Sequence, residues 1–308
     1  MIIARSAEEL AVAGRQACLA IGFFDGVHLG HQQIIRQAAA DAQQHDARTI
    51  VVTFDRHPAS IVAPERAPLL IQTESHRLRT IGALGANAAL VLTFDNNLRK
   101  QSGADFIHAL HRSLGGIRSI CIGADFHFGY QRSGNVALLR ELGKELGFSV
   151  HGVASVALNG HTISSTRIRA AISQGDLGAV SEMLGRAYSI ENRVIRGDQL
   201  GHALGFPTAN LDVGGLALPP RGVYAAQTIV DGQLHHSVVN IGVRPTIDDK
   251  ASDVRAEVHL LDADADLYEK MIEVILVEKL RDEKRFDSRD ALQQQIRADV
   301  ERTRQIFS

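Results

Sequence analysis

The chain has 308 residues, 45% apolar and 22% charged, an ordinary globular composition with enough length to bury a substantial core. Lys plus Arg number 33 against 35 Asp plus Glu, a formal net charge of −2, which excludes the basic excess of a nucleic-acid or membrane-surface protein. The 2 cysteines, Cys18 and Cys121, exclude a disulfide scaffold and a cysteine-rich metal site, and the absence of Trp argues against a base-stacking platform.

At roughly 150 residues per domain, this length predicts two domains. The N-terminus carries Glu8 and Glu9 where a signal peptide needs an apolar stretch. No run approaches the ~18 apolar residues of a membrane span. The expectation is a soluble, cytoplasmic protein that acts on small molecules, as a monomer or with weak self-association.

Up to about residue 184, apolar runs at 18–24, 49–54, 88–94, 119–126 and 148–156 have strand length and are apolar at consecutive positions. That pattern suits a sheet buried on both faces, hence a parallel one. Helical stretches at 30–45, 103–114 and 135–146 lie between them, so the segment reads as βαβ units in an α/β doubly wound sheet. Both cysteines fall within these runs and read as packing residues.

Beyond residue 184 the texture changes. Short alternating runs at 188–195, 223–230, 235–241, 256–261 and 271–277 are separated by turns such as Asp231-Gly232 and Pro219-Pro220-Arg221-Gly222. They read as a small antiparallel barrel. Over 288–306, Leu292, Ile296 and Val300 recur at four-residue steps after Ser288, which predicts an N-capped terminal helix. The predicted domains are 1–184 and 185–308.

Two constellations carry chemistry. At the end of the first predicted strand stands Ile21-Gly22-Phe23-Phe24-Asp25-Gly26-Val27-His28-Leu29-Gly30-His31, leading straight into a helix. Gly26 and Gly30 allow a tight backbone, and a helix N-terminus favours phosphate. Histidines three apart share a helix face and could donate to a triphosphate. Alone, the pair also fits a metal site or two solvated histidines. Far along the chain, Ile163-Ser164-Ser165-Thr166-Arg167-Ile168-Arg169 starts a second helix. A cap needs one hydroxyl, whereas a phosphate site would use three hydroxyls and two guanidiniums together.

The pairing of G-x-F-D-G-x-H-x-G-H with I-S-S-T-R-I-R resembles the adenylyltransferase half of bifunctional FAD synthetases. Thr53-Phe54-Asp55-Arg56-His57-Pro58 and Gly123-Ala124-Asp125-Phe126-His127-Phe128-Gly129 are similar to further family stretches. The resemblance implies an ATP site at Gly22, Phe24, Gly26, His28, Gly30, His31, Ser164, Ser165, Thr166 and Arg167, with His28, His31 and Arg167 catalytic. It implies an FMN site at His57, Pro58, Asp125 and Phe128. The chain departs from the family at Phe23, where Asn is common, at Arg56, where Pro is common, and at His127, where Arg is common. The last change puts a phosphate role at position 127 in doubt.

The second constellation is Gly197-Asp198-Gln199-Leu200-Gly201-His202-Ala203-Leu204-Gly205-Phe206-Pro207-Thr208-Ala209-Asn210-Leu211. A glycine-rich loop can wrap an anion with its amides. On an extended segment Thr208 and Asn210 point to the same side and offer hard oxygen ligands. Taken alone, the segment also reads as a plain glycine-rich turn, and it lacks the Gly-Lys-Ser/Thr ending of a Walker A loop.

The whole run, with Gly222-Val223-Tyr224, Asn240-Ile241-Gly242 and Glu257-Val258-His259 after it, resembles the riboflavin kinase family. That resemblance implies ATP binding by Gly197, Leu200, Gly201, Gly205, Pro207, Thr208 and Asn210, with Thr208 and Asn210 holding Mg²⁺. It makes Glu257 the general base, a residue whose position alone also suits a solvent-facing rim. Arg281, Glu283 and Phe286 would line the flavin end. Ala263 and Glu269 depart from the family nearby. Together the resemblances imply a Rossmann-like nucleotidyltransferase domain followed by a six-stranded barrel kinase with a C-terminal helix. The implied activity is phosphorylation of riboflavin to FMN, then adenylylation of FMN to FAD. The alternatives are an adenylyl- or cytidylyltransferase for another phosphate-bearing acceptor, and a flavin-binding regulator without activity.

Overall fold

The computed structural model describes residues 1–11, 15–196, 205–243, 254–262 and 267–308. Its contacts divide the chain into two compact units, Met1–Leu70 with Glu74–Ser165, and Ile71–Thr73 with Thr166–Ser308.

In the first unit the strands are β1 (Ile2–Ala4), β2 (Ala17–Ile21), β3 (Arg48–Phe54), β4 (Ala88–Leu92), β5 (Ile117–Gly123) and β6 (Ser149–Val153). They form one sheet in the order β1-β4-β3-β2-β5-β6, and every pairing in it is parallel. The helices are α1 (Leu29–Gln44), the single turn α2 (Ala59–Val62), α3 (Glu74–Gly82), α4 (Gly103–Ser113) and α5 (Val136–Leu146). Side chains alternate along the strands. Leu19, Ile21, Ile50, Val52, Ile120 and Ile122 pack on one face with Phe106, Leu110 and Leu139 of α4 and α5. Ala20, Val51, Ala89, Val91 and Cys121 pack on the other with Ile34, Ile35 and Ala38 of α1 and with Leu78 and Ile81 of α3. Burial on both faces is why these strands read as continuous apolar runs.

The strand order reverses at β2, which lies between β3 and β5. In open α/β sheets ligands bind past the carboxyl ends of the strands at such a switch point. The small two-stranded ribbon β7 (Ala157–Leu158) and β8 (His161–Thr162) precedes α6 (Ser165–Gln174).

The second unit continues with α7 (Leu177–Leu184), then β9 (Ser189–Ile195), β10 (Ala209–Leu211), β11 (Gly222–Val230), β12 (Gln233–Val243), β13 (Val254–Leu260), β14 (Met271–Arg281) and the terminal helix α8 (Arg289–Ile306). The six strands close into an antiparallel barrel in the order β10-β13-β12-β11-β14-β9. Val239, Ile241, Ala256, Val258, Val274 and Leu276 are buried in it. Outside, Val223, Val238 and Leu261 pack with Val300 and Ile296 of α8. Ser288 caps that helix, accepting the Ala291 amide at 3.1 Å. Arg281 and the buried Asp299 clamp it, with three guanidinium-to-carboxylate contacts between 2.8 and 3.1 Å.

The sequence reading misses β1, α2, α3, the β7–β8 ribbon, α7 and β10. β1 is too short to show alternation. β10 lies inside the glycine-rich motif. α3 buries His76 and Arg77 as well as Leu78 and Ile81, so its inward stripe is half polar.

Candidate active sites

The first site starts in the turn between β2 and α1. Phe24, Gly26 and Val27 have φ of 58°, 78° and 41°. A β-branched residue at positive φ is strained and persists only where its surroundings fix it. Val27 donates its amide to Phe24 O at 3.0 Å, and its carbonyl accepts from the Gln32 side chain at 3.0 Å. His28, 6% exposed, is the N-cap of α1, and its Nδ1 accepts the His31 amide at 3.4 Å. That assignment puts a ring proton on Nε2.

The two imidazoles stack with centroids 3.5 Å apart and planes 21° apart. A Cβ at Gly30 would come within 3.2 Å of the His28 ring, so glycine there makes room for the stack. A Cβ at Gly22 would meet the Phe24 ring at 3.0 Å, and Phe24 in turn sets its edge against His31 at 5.3 Å. Burial, then the neighbouring His28, then Arg77 hold the His31 pKa well below its ordinary 6.5. His31 is therefore a neutral ring, and its buried Nδ1 makes no hydrogen bond. Ser165 donates to the Asp25 carbonyl at 3.0 Å, which ties the Ser164-Ser165 segment to this turn. Thr166 and Arg167 follow in the first turn of α6.

The segment after β3 lies alongside. The Thr53 hydroxyl donates to Phe23 O at 3.0 Å, and the Phe23 ring meets His57 edge-on at 5.0 Å. Position 23, where the chain departs from the family pattern, is thus part of a packed contact with His57. The Nδ1 of His57 accepts the Ala59 amide at 3.1 Å, just after Pro58.

Past β5, Asp125 is exposed, and His127 turns its Nδ1 back to the Asp125 carbonyl at 2.9 Å. Phe128 lies against Phe106 and Phe126 with centroids 6.0 Å away in each case. A Cβ at Gly134 would sit 2.6 Å from its ring. The turn with His28 and His31, the His57 segment and the Asp125–Phe128 loop follow β2, β3 and β5 respectively. All three stand at the carboxyl edge of the parallel sheet.

The second site lies on the barrel. Gly197, Leu200 and Gly201 lie outside the described residues. Gly205 has φ of 79°. The Pro207 carbonyl pairs with His259 Nδ1 at 2.9 Å. Asn210 is 6% exposed and stands directly opposite Glu257, which on its other side stands opposite Asn240. Opposed residues of an antiparallel pair share a face. Their neighbours Val239, Ile241, Ala256 and Val258 fill the barrel, so Asn210, Glu257 and Asn240 form a polar row on its outer wall. Thr208 projects to the same side as Asn210.

Glu283 lies over Gly242, where a Cβ would overlap its carboxylate. Arg281 faces the Phe286 ring at 5.7 Å while its nitrogens hold Asp299. A groove of about 800 Å³ opens beside Gly205, Phe206 and Pro207, bounded by His259, Asp262, Arg297 and Arg304. The sequence placed Asn240 and His259 in motifs without giving them a role, and it did not single out Arg77. Only strand register or tertiary contact reveals them.

Among the described residues no group of three or more His, Cys, Asp or Glu could hold a metal ion. No described helix is long and apolar enough to cross a membrane. A phosphate-friendly turn at a sheet switch point, joined to a barrel with a carboxylate among amides and hydroxyls, defines a nucleotidyltransferase coupled to a small-molecule kinase.

Residues 11–167 match the FAD synthetase family and residues 184–307 match the riboflavin kinase family. The chain is 37% identical over 308 residues to a bifunctional riboflavin kinase/FMN adenylyltransferase of Pseudomonas fluorescens, covering 99% of this chain and 98% of that one. It is 34% identical to the protein of that name from Escherichia coli K12, over 100% of this chain and 98% of the relative. The chain belongs to the bifunctional riboflavin kinase/FMN adenylyltransferase family. A crystal structure titled a macrolide-efflux protein, from Streptococcus pneumoniae, superposes with a TM-score of 0.82 at 27% identity, covering 98% of each chain.

Proposed function

We infer that this chain makes FMN from riboflavin and ATP, and FAD from FMN and ATP, with one activity in each half. The division falls at 1–184 and 185–308. What supports the reading is that part of each family's polar set is gathered within one unit: His28, His31 and His57 at one sheet edge of the first, Asn210 and Glu257 on one barrel wall of the second.

On the barrel, the Glu257 carboxylate takes the proton of the ribityl hydroxyl as that oxygen attacks the γ-phosphorus of ATP, and ADP leaves. Thr208 and Asn210 offer the hard oxygens that suit a Mg²⁺ brought by the nucleotide, which would neutralise phosphate charge. Gly197, Leu200, Gly201, Gly205 and Pro207 border the phosphates. Arg281, Glu283 and Phe286 form the flavin end, with Arg281 aligned by Asp299.

In the adenylyl transfer, the FMN phosphate attacks the α-phosphorus of ATP in line, a P–O bond forms, and pyrophosphate departs. No protein nucleophile is needed, so the residues position and stabilise. With His31 neutral, its ring can offer only an uncharged N–H, and His28 offers its Nε2–H beside it. The full positive charge would come from Arg167, with Ser165 and Thr166 supplying hydroxyls. FMN would lie along His57, Pro58, Asp125 and Phe128. We further propose a cytoplasmic monomer.

The test is direct. Purified protein is mixed with riboflavin, ATP and Mg²⁺ and the products are chromatographed. FMN followed by FAD is expected, and the absence of both would overturn the reading.

A further inference from the structure

Arg77 lies on α3, is 1% exposed, and takes no part in the chemistry above. Its guanidinium carbon sits 4.3 Å from the centre of the Phe23 ring. One terminal nitrogen donates to the Phe54 carbonyl at 2.6 Å, while the buried Nε makes no hydrogen bond. Burial lowers its pKa, opposed by Asp25, then Glu74, then Asp55. A guanidinium nonetheless stays charged at neutral pH.

The two groups it grips belong to different parts of the site. Phe23 is in the turn with His28 and His31. Phe54 closes β3 and leads into His57. Phe23 also meets His57 edge-on and accepts from Thr53. One buried cation therefore spans the two segments, and burying a charge is costly where an apolar residue could fill the space.

We propose that Arg77 is a positioning residue for adenylyl transfer, fixing the spacing between the turn that holds ATP and the segment that holds FMN. This rests on reading His28 and His31 as the nucleotide side and His57 as the flavin side. A planar guanidinium both stacks on Phe23 and donates in its own plane to Phe54, and an ammonium cannot do both. Displacing reacting groups by about 1 Å costs on the order of 10² in rate even when both substrates still bind. The same cation contributes to keeping His31 neutral.

The experiment uses the full chain with Arg77→Met, Arg77→Lys and Phe23→Leu. FAD formation from FMN and ATP is measured for kcat and both KM values. Circular dichroism and thermal melts report folding of the chain, and FMN formation from riboflavin reports the barrel unit in the same samples. For Arg77→Met and Arg77→Lys, kcat for FAD should fall about 10- to 100-fold with both KM values within about threefold, and riboflavin phosphorylation should be unchanged. Phe23→Leu should reproduce part of the kcat loss and be non-additive with Arg77→Met.

If Arg77→Met loses both activities, Arg77→Lys and Phe23→Leu decide. The inference is overturned if their kcat stays within about twofold of the parent, or if only KM moves. If the parent chain itself makes no FAD from FMN, it is the adenylyltransferase reading that falls.

Discussion

Asn210 stands directly across from Glu257 on neighbouring antiparallel strands, so a hard oxygen donor and a carboxylate share one face. On the proposed reading the carboxylate accepts the proton while its neighbour's amide oxygen would serve the nucleotide's cation. Glu257→Gln keeps the shape and removes the base. General-base losses are about 10²–10⁴-fold, so riboflavin phosphorylation should fall by that much while FAD formation from supplied FMN persists. A Glu257→Gln enzyme that still turns over riboflavin would remove Glu257 from the mechanism.

The reverse separation is expected in the other unit. The doubly substituted His28→Ala, His31→Ala chain loses an N-cap and two donors. FAD formation should drop at least about 10²–10³-fold, in line with losing one preorganised donor. Riboflavin should still be converted to FMN, which then accumulates. Loss of both reactions in a folded double variant would argue for one shared centre.

His31 also predicts a pH dependence of stability. Its folded pKa lies well below 6.5, so the unfolded chain binds the proton more readily. Where the unfolded state binds more protons, stability rises with pH. The contribution is therefore full above about pH 6.5 and is lost as pH falls below it. Thermal melts near pH 7.5 and pH 5.5 should show a larger acid-side drop in Tm for the parent chain than for His31→Gln. Equal drops would mean His31 is not held neutral.

The clamp on the terminal helix is expected to be structural. Asp299 is 5% exposed and meets Arg281 in three contacts. Removing one partner of a buried pair costs about 3 kcal/mol or more, because the other charge is left without its counterion. Asp299→Asn should lower the melting temperature of the barrel unit and, by loosening Arg281, weaken riboflavin binding. Calorimetry and riboflavin titration check the two halves of that statement.

Much of this was legible in the sequence for definite physical reasons. A parallel sheet buried on both faces writes itself as runs of consecutive apolar residues, and 49–54 or 88–94 could hardly be anything else. The glycines at 22, 26 and 30 were readable because each marks a place where a Cβ would collide or φ is positive. Arg77 was not readable, because a buried arginine in a polar-looking helix carries no local signature. Nor was the pairing of Glu257 with Asn240, since register between strands depends on how the barrel closes. Phe23, noted only as a departure from a pattern, has its meaning in contacts with His57 and Arg77 that no spacing encodes.

The polar row of the barrel lies on the outside of a wall whose inside is filled with aliphatic side chains. Around Asn240 and Glu257, the residues that fill the barrel and the residues of the polar row therefore alternate along the same strands. Asn240 or Glu257 can be exchanged without touching Val239, Ile241 or Val258, which hold the barrel closed. Such a wall can be rewritten for another alcohol acceptor one residue at a time, with each intermediate still folding. A site buried within the barrel would have to change its packing and its chemistry in the same step.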